Sequence, residues 1–372
     1  MSELITVLFG GPSAEHDISI LTGLQCERVL AEAGDDVQCV YWDRGGSWHL
    51  VPSATEARDY LEGAPKGSTE LEIRLAHGAM SFQPIKGMRK RPVDLGVVLL
   101  ALHGGAGESG GAQSLFAMMD VPATGSTPAA AALGMDKYAF GALMAEVKLP
   151  ALPRRLVVAG WEPDFEPPYI VKPRFGGSSI GIEVVDSYET AVALTTTSPY
   201  LREGAVIEPY RKDLFDLNIS FITHPEFAAS LVEKPTRSSA TAIYDYSNKY
   251  MASDGLTNAP RELPAQVPDS VTEAMKQAAL RVQQATGLSG ICRVDFLCDG
   301  ENVYVNEVNS IPGAMALYLW PEMPPAAILH GMIAEAKDQL ARGASETFEN
   351  GAALRAAGGI SGKLAGLGPR AL

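Results

Sequence analysis

The chain has 372 residues, too long for one compact core and consistent with two or three domains. Apolar residues make up 46% and charged residues 20%, the composition of an ordinary globular protein. The net charge of −14 argues against a nucleic-acid partner, because phosphate backbones are met by clustered Lys and Arg.

Leu4 to Phe9 is a short β-rich apolar run closed by Gly10-Gly11-Pro12, and it reads as a first strand rather than a signal peptide. Ser13 then offers an N-cap to a helix beginning near Glu15. Val37 to Trp42 predicts a second strand. Leu95 to Leu102 is continuously apolar, as a buried parallel strand requires. A Gly-rich stretch, HGGAGESGG, follows, and then a helix from about Gln113. This alternation implies a Rossmann-like α/β domain over residues 1–130.

A second block opens with a helix around Met135 to Val147, stopped by Leu149-Pro150. Tyr169 to Lys172 predicts a strand, Gly176 to Gly181 a tight loop, and Ile182 to Val185 a returning strand. Further strands are expected at Ala205 to Tyr210 and Asn218 to Ile222. Residues 234–264 are polar, with three tyrosines and no clear periodicity, which marks a lid. Val267 to Thr286 is an amphipathic helix, and the last helix runs from about Ala326 to Gln339. Residues 343–372 are rich in Gly and Ala and read as a tail. The four cysteines (Cys26, Cys39, Cys292, Cys298) lack CxxC spacing and look like reduced thiols of a cytoplasmic protein, not a zinc site. No apolar run approaches the ~20 residues that span a bilayer.

The most informative stretch is Arg293 to Gly313, RVDFLCDGENVYVNEVNSIPG. Two apolar runs flank a turn at Asp299-Gly300 and would bring Asp295, Glu307 and Asn309 to one end of a sheet. Two carboxylates and an amide oxygen are hard ligands suited to Mg²⁺ that keeps water and phosphate in its other positions. The competing explanation is a set of polar strand-end residues. Lys172, at the end of a strand and followed by glycines and two serines, suits a phosphate, since glycines let backbone N–H groups approach its oxygens. An ordinary hairpin with a snorkelling lysine remains open. Gly105-x-Gly107-x-x-Gly110 has dinucleotide spacing but lacks the acidic residue about 20 positions on, so a cleft-lining loop is the better reading. Glu15 beside His16 could simply be a helix-dipole carboxylate. Lys137 and Lys249 alone look like surface lysines.

Taken in order, Phe9-Gly10-Gly11-Pro12-Ser13-Ala14-Glu15-His16, Leu102-His103-Gly104-Gly105, Met135-Asp136-Lys137, Val171-Lys172-Pro173, Gly177-Ser178-Ser179-Ile180-Gly181, Tyr244-Asp245-Tyr246, Lys249-Tyr250 and Arg293 to Gly313 resemble the D-alanine–D-alanine ligases of the ATP-grasp superfamily. The resemblance covers residues 4 to 340. It implies a three-domain ATP-grasp architecture, with residues 1–130 as the substrate domain, α+β subdomains over 131–212 and 213–342, and the lid at 234–264. It implies an ATP-dependent ligase that joins two amino acids through an acyl phosphate, a cytoplasmic enzyme of peptidoglycan precursor synthesis. Lys137 and Lys172 would bind the α/β phosphates with Ser179 beside them, and Lys249 the γ-phosphate. Asp295, Glu307 and Asn309 would hold two Mg²⁺, with Mn²⁺ as an alternative. Glu15, Ser178 and Tyr250 would orient the first amino acid and latch the lid. Arg293 and the Gly313 N–H would form an oxyanion hole, and His103 would lie near the first substrate's carboxylate. Adenine would meet Ile207-Glu208-Pro209-Tyr210. Pro209 has no N–H and offers only its carbonyl, so a ring-facing N–H would come from Arg211. A homodimer is known in the family, and nothing in the sequence decides it.

The sequence parts from the family at three places. A ribose-binding Glu is replaced in a longer segment, where Asp216 is the candidate. Gly176 stands where a Glu precedes the serines. Tyr318, five residues after Gly313, occupies the place of a Ser that helps bind the second D-alanine's carboxylate. A shifted carboxylate contact and a different acceptor, as in a natural-product peptide ligase, both remain open. So does a nucleotide-binding protein without catalysis.

Overall fold

The computed structural model describes residues 3–76, 79–86, 91–118, 120–235, 261–343 and 354–355. Its strands form three sheets. In the first, β1 (Leu4–Gly10) pairs in parallel with β2 (Asp36–Trp42) and β6 (Val97–Leu100). β3 (Trp48–Val51), β4 (Thr69–Ala76) and β5 (Ala79–Pro84) extend it antiparallel, giving the order β5-β4-β3-β2-β1-β6. β1 and β6 are buried along almost their whole length, which is why both read as unbroken apolar runs. Helix α1 (His16–Glu32) packs on this sheet through Ile20, Leu24 and Leu30. Its close approach requires Gly23, where a Cβ would stand 2.4 Å from the Phe9 ring.

The second sheet contains β7 (Arg155–Leu156), β8 (Tyr169–Pro173), β9 (Glu183–Val185) and β10 (Ala205–Pro209), in the order β7-β10-β8-β9. The expected hairpin across residues 176–181 is present, with β8 and β9 antiparallel. The third sheet contains β11 (Phe215–Ile222), β12 (Ala228–Pro235), β13 (Arg261–Glu262), β14 (Ile291–Cys298) and β15 (Val303–Asn309). Its order is β13-β12-β11-β14-β15. Helix α7 (Asp269–Thr286, following α2 to α6 at Gly105–Glu108, Gly111–Met118, Pro128–Met135, Lys137–Glu146 and Tyr188–Thr197) buries Val271, Met275, Ala279 and Val282 against this sheet.

The helix α8 (Pro325–Gly343) returns to the first core, where Ile328, Leu329, Met332 and Ile333 pack with the apolar residues of β1 and β6. Residues 234–235 and 261–262, expected within the lid, pair as strand ends in β12 and β13. Residues 236–260, including Lys249 and Tyr250, and most of the expected tail lie outside the described residues. The four cysteines are free and buried, and burial pushes Cys26 and Cys39 up to about 12. No described helix is long and apolar enough to cross a membrane.

Candidate active site

Glu15 is the residue before α1, and its position follows from the turn that precedes it. Gly10 has φ +94, and a Cβ there would stand 2.2 Å from the Trp42 carbonyl, so only glycine fits. Ser19 in α1 accepts the Gly10 N–H at 2.7 Å and donates to the Ala101 carbonyl at 2.7 Å, tying the turn to the end of β6. The Glu15 carboxylate lies against backbone at two glycines, since a Cβ at Gly104 or Gly177 would be 2.7 or 3.1 Å from its Oε2. The Ser178 hydroxyl donates to Glu15 Oε1. Ser178 and Ser179 have φ of 54 and 58, a left-handed conformation that costs a non-glycine residue about 1–2 kcal/mol. The first and second sheets thus meet at the Glu15–Ser178 pair.

The run after β15 is held from the N-terminal domain. His103, Thr22 and Glu108 are all buried. His103 Nδ1 lies 2.9 Å from the Ile311 carbonyl and its Nε2 lies 2.8 Å from Thr22 Oγ1. Burial holds His103 below its ordinary pKa, so the ring is neutral. Nδ1 then donates to Ile311, and Nε2 accepts from the Thr22 hydroxyl. The Ala314 N–H donates to Thr22 Oγ1 at 3.1 Å. Glu108 accepts the Gly104 N–H at 2.9 Å and the Ile311 N–H at 3.3 Å. Burial, and then the charge of Glu15, push Glu108 up to about 7. Gly313 sits inside this clamp and is followed by three residues at positive φ, Ala314, Met315 and Ala316. Three successive non-glycine residues in that region are strain held in place by the clamp.

The charged cluster lies where the second and third sheets face each other. Lys137 opens α5, which Asp136 caps by accepting the Tyr138 and Ala139 N–H groups. Arg174 donates to both Asp136 oxygens, at 2.8 and 2.6 Å. Lys137 Nζ donates to the Gly176 carbonyl and lies 3.4 Å from Glu307 Oε2. Lys172 Nζ donates to Glu208 Oε2 at 2.8 Å and to Asn306 Oδ1 at 3.0 Å. Arg154 pairs with the other Glu208 oxygen and donates to the carbonyls of Lys137 and Asn306. Burial alone would raise the Glu208 pKa, but Arg154 and Lys172 overcome it and hold the carboxylate ionised. Glu208 therefore points into the sheet interface, not along the backbone edge of β10. On that edge the Tyr210 N–H is engaged by the Pro168 carbonyl, and the Arg211 side chain pairs with Asp213 at the surface.

On the third sheet, Glu233, Asn218, Asp295 and Glu307 are register neighbours across β12, β11, β14 and β15. Asp295 accepts both arms of the Arg293 guanidinium, at 2.6 and 2.8 Å, and the Asn309 amide at 3.1 Å. Asp216 stands farther along β11, opposite Leu297. Asp295, Glu307 and Asn309 supply the hard oxygen donors that Mg²⁺ prefers, beside lysines suited to phosphate. The donor set therefore fits the ion, although among the described residues no three His, Cys, Asp or Glu side chains form a site by themselves.

Arg154, Thr22, Glu108, Asn306 and Glu233 join these networks without having stood out in the sequence. Asn306 lies within the stretch from Arg293 to Gly313, and Glu108 within the Gly-rich segment after His103. The others belong to no motif, and their partners are far away in sequence.

Two α+β sheets that face each other, attached to a Rossmann-like domain, are the ATP-grasp architecture. The D-ala D-ala ligase N-terminus model matches residues 4–126 and the D-ala D-ala ligase C-terminus model matches residues 141–332. A D-alanine–D-alanine ligase of Mycobacterium tuberculosis is 30% identical over 351 residues, covering 86% of this chain and 90% of its own. One from Heliobacterium modesticaldum is 28% identical over 344 residues, covering 87% and 90%. Among solved structures, the D-alanine–D-alanine ligase of Coxiella burnetii superposes with a TM-score of 0.74 at 21% identity, covering 92% of this chain and 95% of that one. The VanG D-Ala:D-Ser ligase of Enterococcus faecalis gives 0.68 at 20% identity, covering 92% and 99%. The chain belongs to the D-alanine–D-alanine ligase family, and it is an ATP-dependent, amide-forming ligase acting on small amino-acid substrates.

Proposed function

We propose that the protein joins D-alanine to D-alanine in the cytoplasm, for peptidoglycan precursor synthesis, through an acyl phosphate. The observation that carries this reading is the convergence of the Glu15–Ser178 pair, the clamped Gly313 run and the lysine–carboxylate cluster on one cleft.

A carboxylate is a poor electrophile, and γ-phosphoryl transfer converts it to an acyl phosphate. Catalysis of that step is charge neutralisation and positioning. Lys137 and Lys172 would meet the α/β phosphates with Ser179 beside them, and Lys249 the γ-phosphate. Asp295, Glu307 and Asn309 would hold Mg²⁺, two ions in this reading with Mn²⁺ as an alternative, which supplies positive charge to the phosphates. Pro209, Tyr210 and Arg211 would face adenine, and Asp216 the ribose. Glu15, Ser178 and Tyr250 would orient the first amino acid. The second amine attacks the carbonyl carbon, and the resulting oxyanion would be met by Arg293 and the Gly313 N–H. His103 would serve that step by fixing the Ile311–Ala314 backbone, and would lie near the first substrate's carboxylate. Phosphate leaves and the amide remains.

The test is ATP-dependent phosphate release by the full-length protein across single amino acids and pairs, with mass spectrometry of the product. D-Alanine alone is expected to give phosphate and D-alanyl-D-alanine in equal amounts. Release only with a second, unrelated amine would move the acceptor elsewhere. ATP binding without turnover over the whole panel would refute catalysis.

A further inference from the structure

Two buried glutamates differ in what neutralises them. Glu233 accepts the Tyr318 hydroxyl at 3.0 Å and the Asn218 amide at 3.2 Å, with Arg261 3.6 Å away. Glu208 is instead shared by two cations. Lys172 on β8 and Arg154, two residues after Leu152 and directly before β7, each take one of its oxygens. The side chains of Arg154, Lys172 and Glu208 are 6%, 7% and 1% exposed. Two cations and one carboxylate leave this triad with a net charge of +1, held out of water. Lys137 does not offset it, since that lysine is itself a cation, 3.4 Å from Glu307.

A buried net charge is costly until a counter-charge reaches it. An anionic ligand at Lys172 would supply one. Lys172 donates to Glu208 Oε2 at 2.8 Å and to Asn306 Oδ1 at 3.0 Å, which uses two of the three donors of an ammonium. With Lys172 as its sole partner, Glu208 would cancel the lysine's charge, and little field would be left for a phosphate. Arg154 prevents that cancellation by holding the other carboxylate oxygen. It is fixed there because its remaining N–H groups donate to the carbonyls of Lys137 and Asn306, the latter at 2.9 Å. Gly141 in α5 leaves the space it needs, since a Cβ there would stand 3.1 Å from Arg154 Cδ.

We propose that Arg154 is a positioning residue for nucleotide binding: by sharing Glu208 it keeps Lys172 net positive toward the phosphates of ATP. This rests on the ligase reading above and deepens it. Arg154 acts through Glu208 and Lys172 and does not itself meet the nucleotide. A planar guanidinium suits the place, because its fork can serve the carboxylate and two carbonyls at once. The effect falls on the phosphates and not on the base. A guanidinium that only tied the sheets together would, when removed, disturb the whole nucleotide site alike.

The experiment measures the Kd of ATP with Mg²⁺, and separately of adenosine, on the full-length protein by calorimetry. Arg154→Met removes one cation and should weaken ATP about tenfold while leaving adenosine within about twofold of wild type. The double variant Arg154→Met/Glu208→Gln removes the carboxylate as well and returns the triad to one positive charge. It should bring ATP back within about threefold of wild type, a recovery that lost packing would not give. Glu208→Gln alone leaves two cations and no carboxylate, should tighten ATP by about threefold or more, and serves if Arg154→Met fails to fold. Unchanged ATP affinity in Arg154→Met, equal losses for ATP and adenosine, or no tightening in Glu208→Gln would overturn the assignment while leaving the ligase reading intact. A wild-type protein that binds no ATP would overturn both.

Discussion

Asp295 shows how one residue takes part in two arrangements. It accepts a forked pair of hydrogen bonds from Arg293, and it stands beside Glu307 and Asn309 in a donor set suited to Mg²⁺. Removing its charge while keeping its shape separates folding from chemistry. Asp295→Asn and Glu307→Gln are expected to lower phosphate release by about 100-fold or more, with thermal unfolding little changed. Near-wild-type rates in either variant would refute the metal assignment. These residues were legible in the sequence because hard oxygen ligands on two strands joined by Asp299-Gly300 form a local pattern. Glu208 was legible as a position, but the pairing of its carboxylate was not. Its carboxylate is fixed by Arg154, 54 residues away, and by Lys172, and no local spacing announces a buried three-charge cluster. Losing one member of such a cluster leaves a buried charge unpaired, which typically costs about 3–5 kcal/mol.

At the scale of elements, the N-terminal domain acts on the acyl site through backbone. His103, Thr22 and Glu108 hold Ile311 and Ala314, and the left-handed run after Gly313 depends on that grip. Glu108 gives the clamp a measurable signature. Its folded pKa of about 7 lies above its ordinary value of 4.5, so the folded state holds the extra proton. Stability then falls as pH rises from about 4.5 to about 7 and is level beyond, because the unfolded polypeptide releases that proton first. Glu108→Gln removes this contribution. The melting temperature of the variant relative to wild type should rise across that interval. Parallel curves would show that Glu108 titrates like an exposed carboxylate. The strands and helices that carry the site were readable from apolar runs bounded by Gly and Pro. β3, β4 and β5 were not, because half-exposed strands such as Trp48–Val51 mix polar and apolar residues without a clean period.

The whole molecule brings three sheets to one cleft, and the pieces that meet there are far apart in sequence. Ser178 reaches Glu15 across 163 residues, and His103 reaches Ile311 across 208. Spacing cannot supply such contacts, so the order of motifs carried the reading of the site. The return of α8 to the first core was equally hidden, since an amphipathic helix does not state which sheet it covers. What this assembly is for can be followed atom by atom with D-alanine labelled with oxygen-18 in its carboxylate. If the donor carboxylate takes the γ-phosphoryl group and the amine then displaces phosphate, one labelled oxygen leaves with each phosphate. Inorganic phosphate carrying one oxygen-18 atom per dipeptide formed, with unlabelled ADP, is the predicted result; unlabelled phosphate, or label appearing in AMP, would contradict the acyl-phosphate ligase.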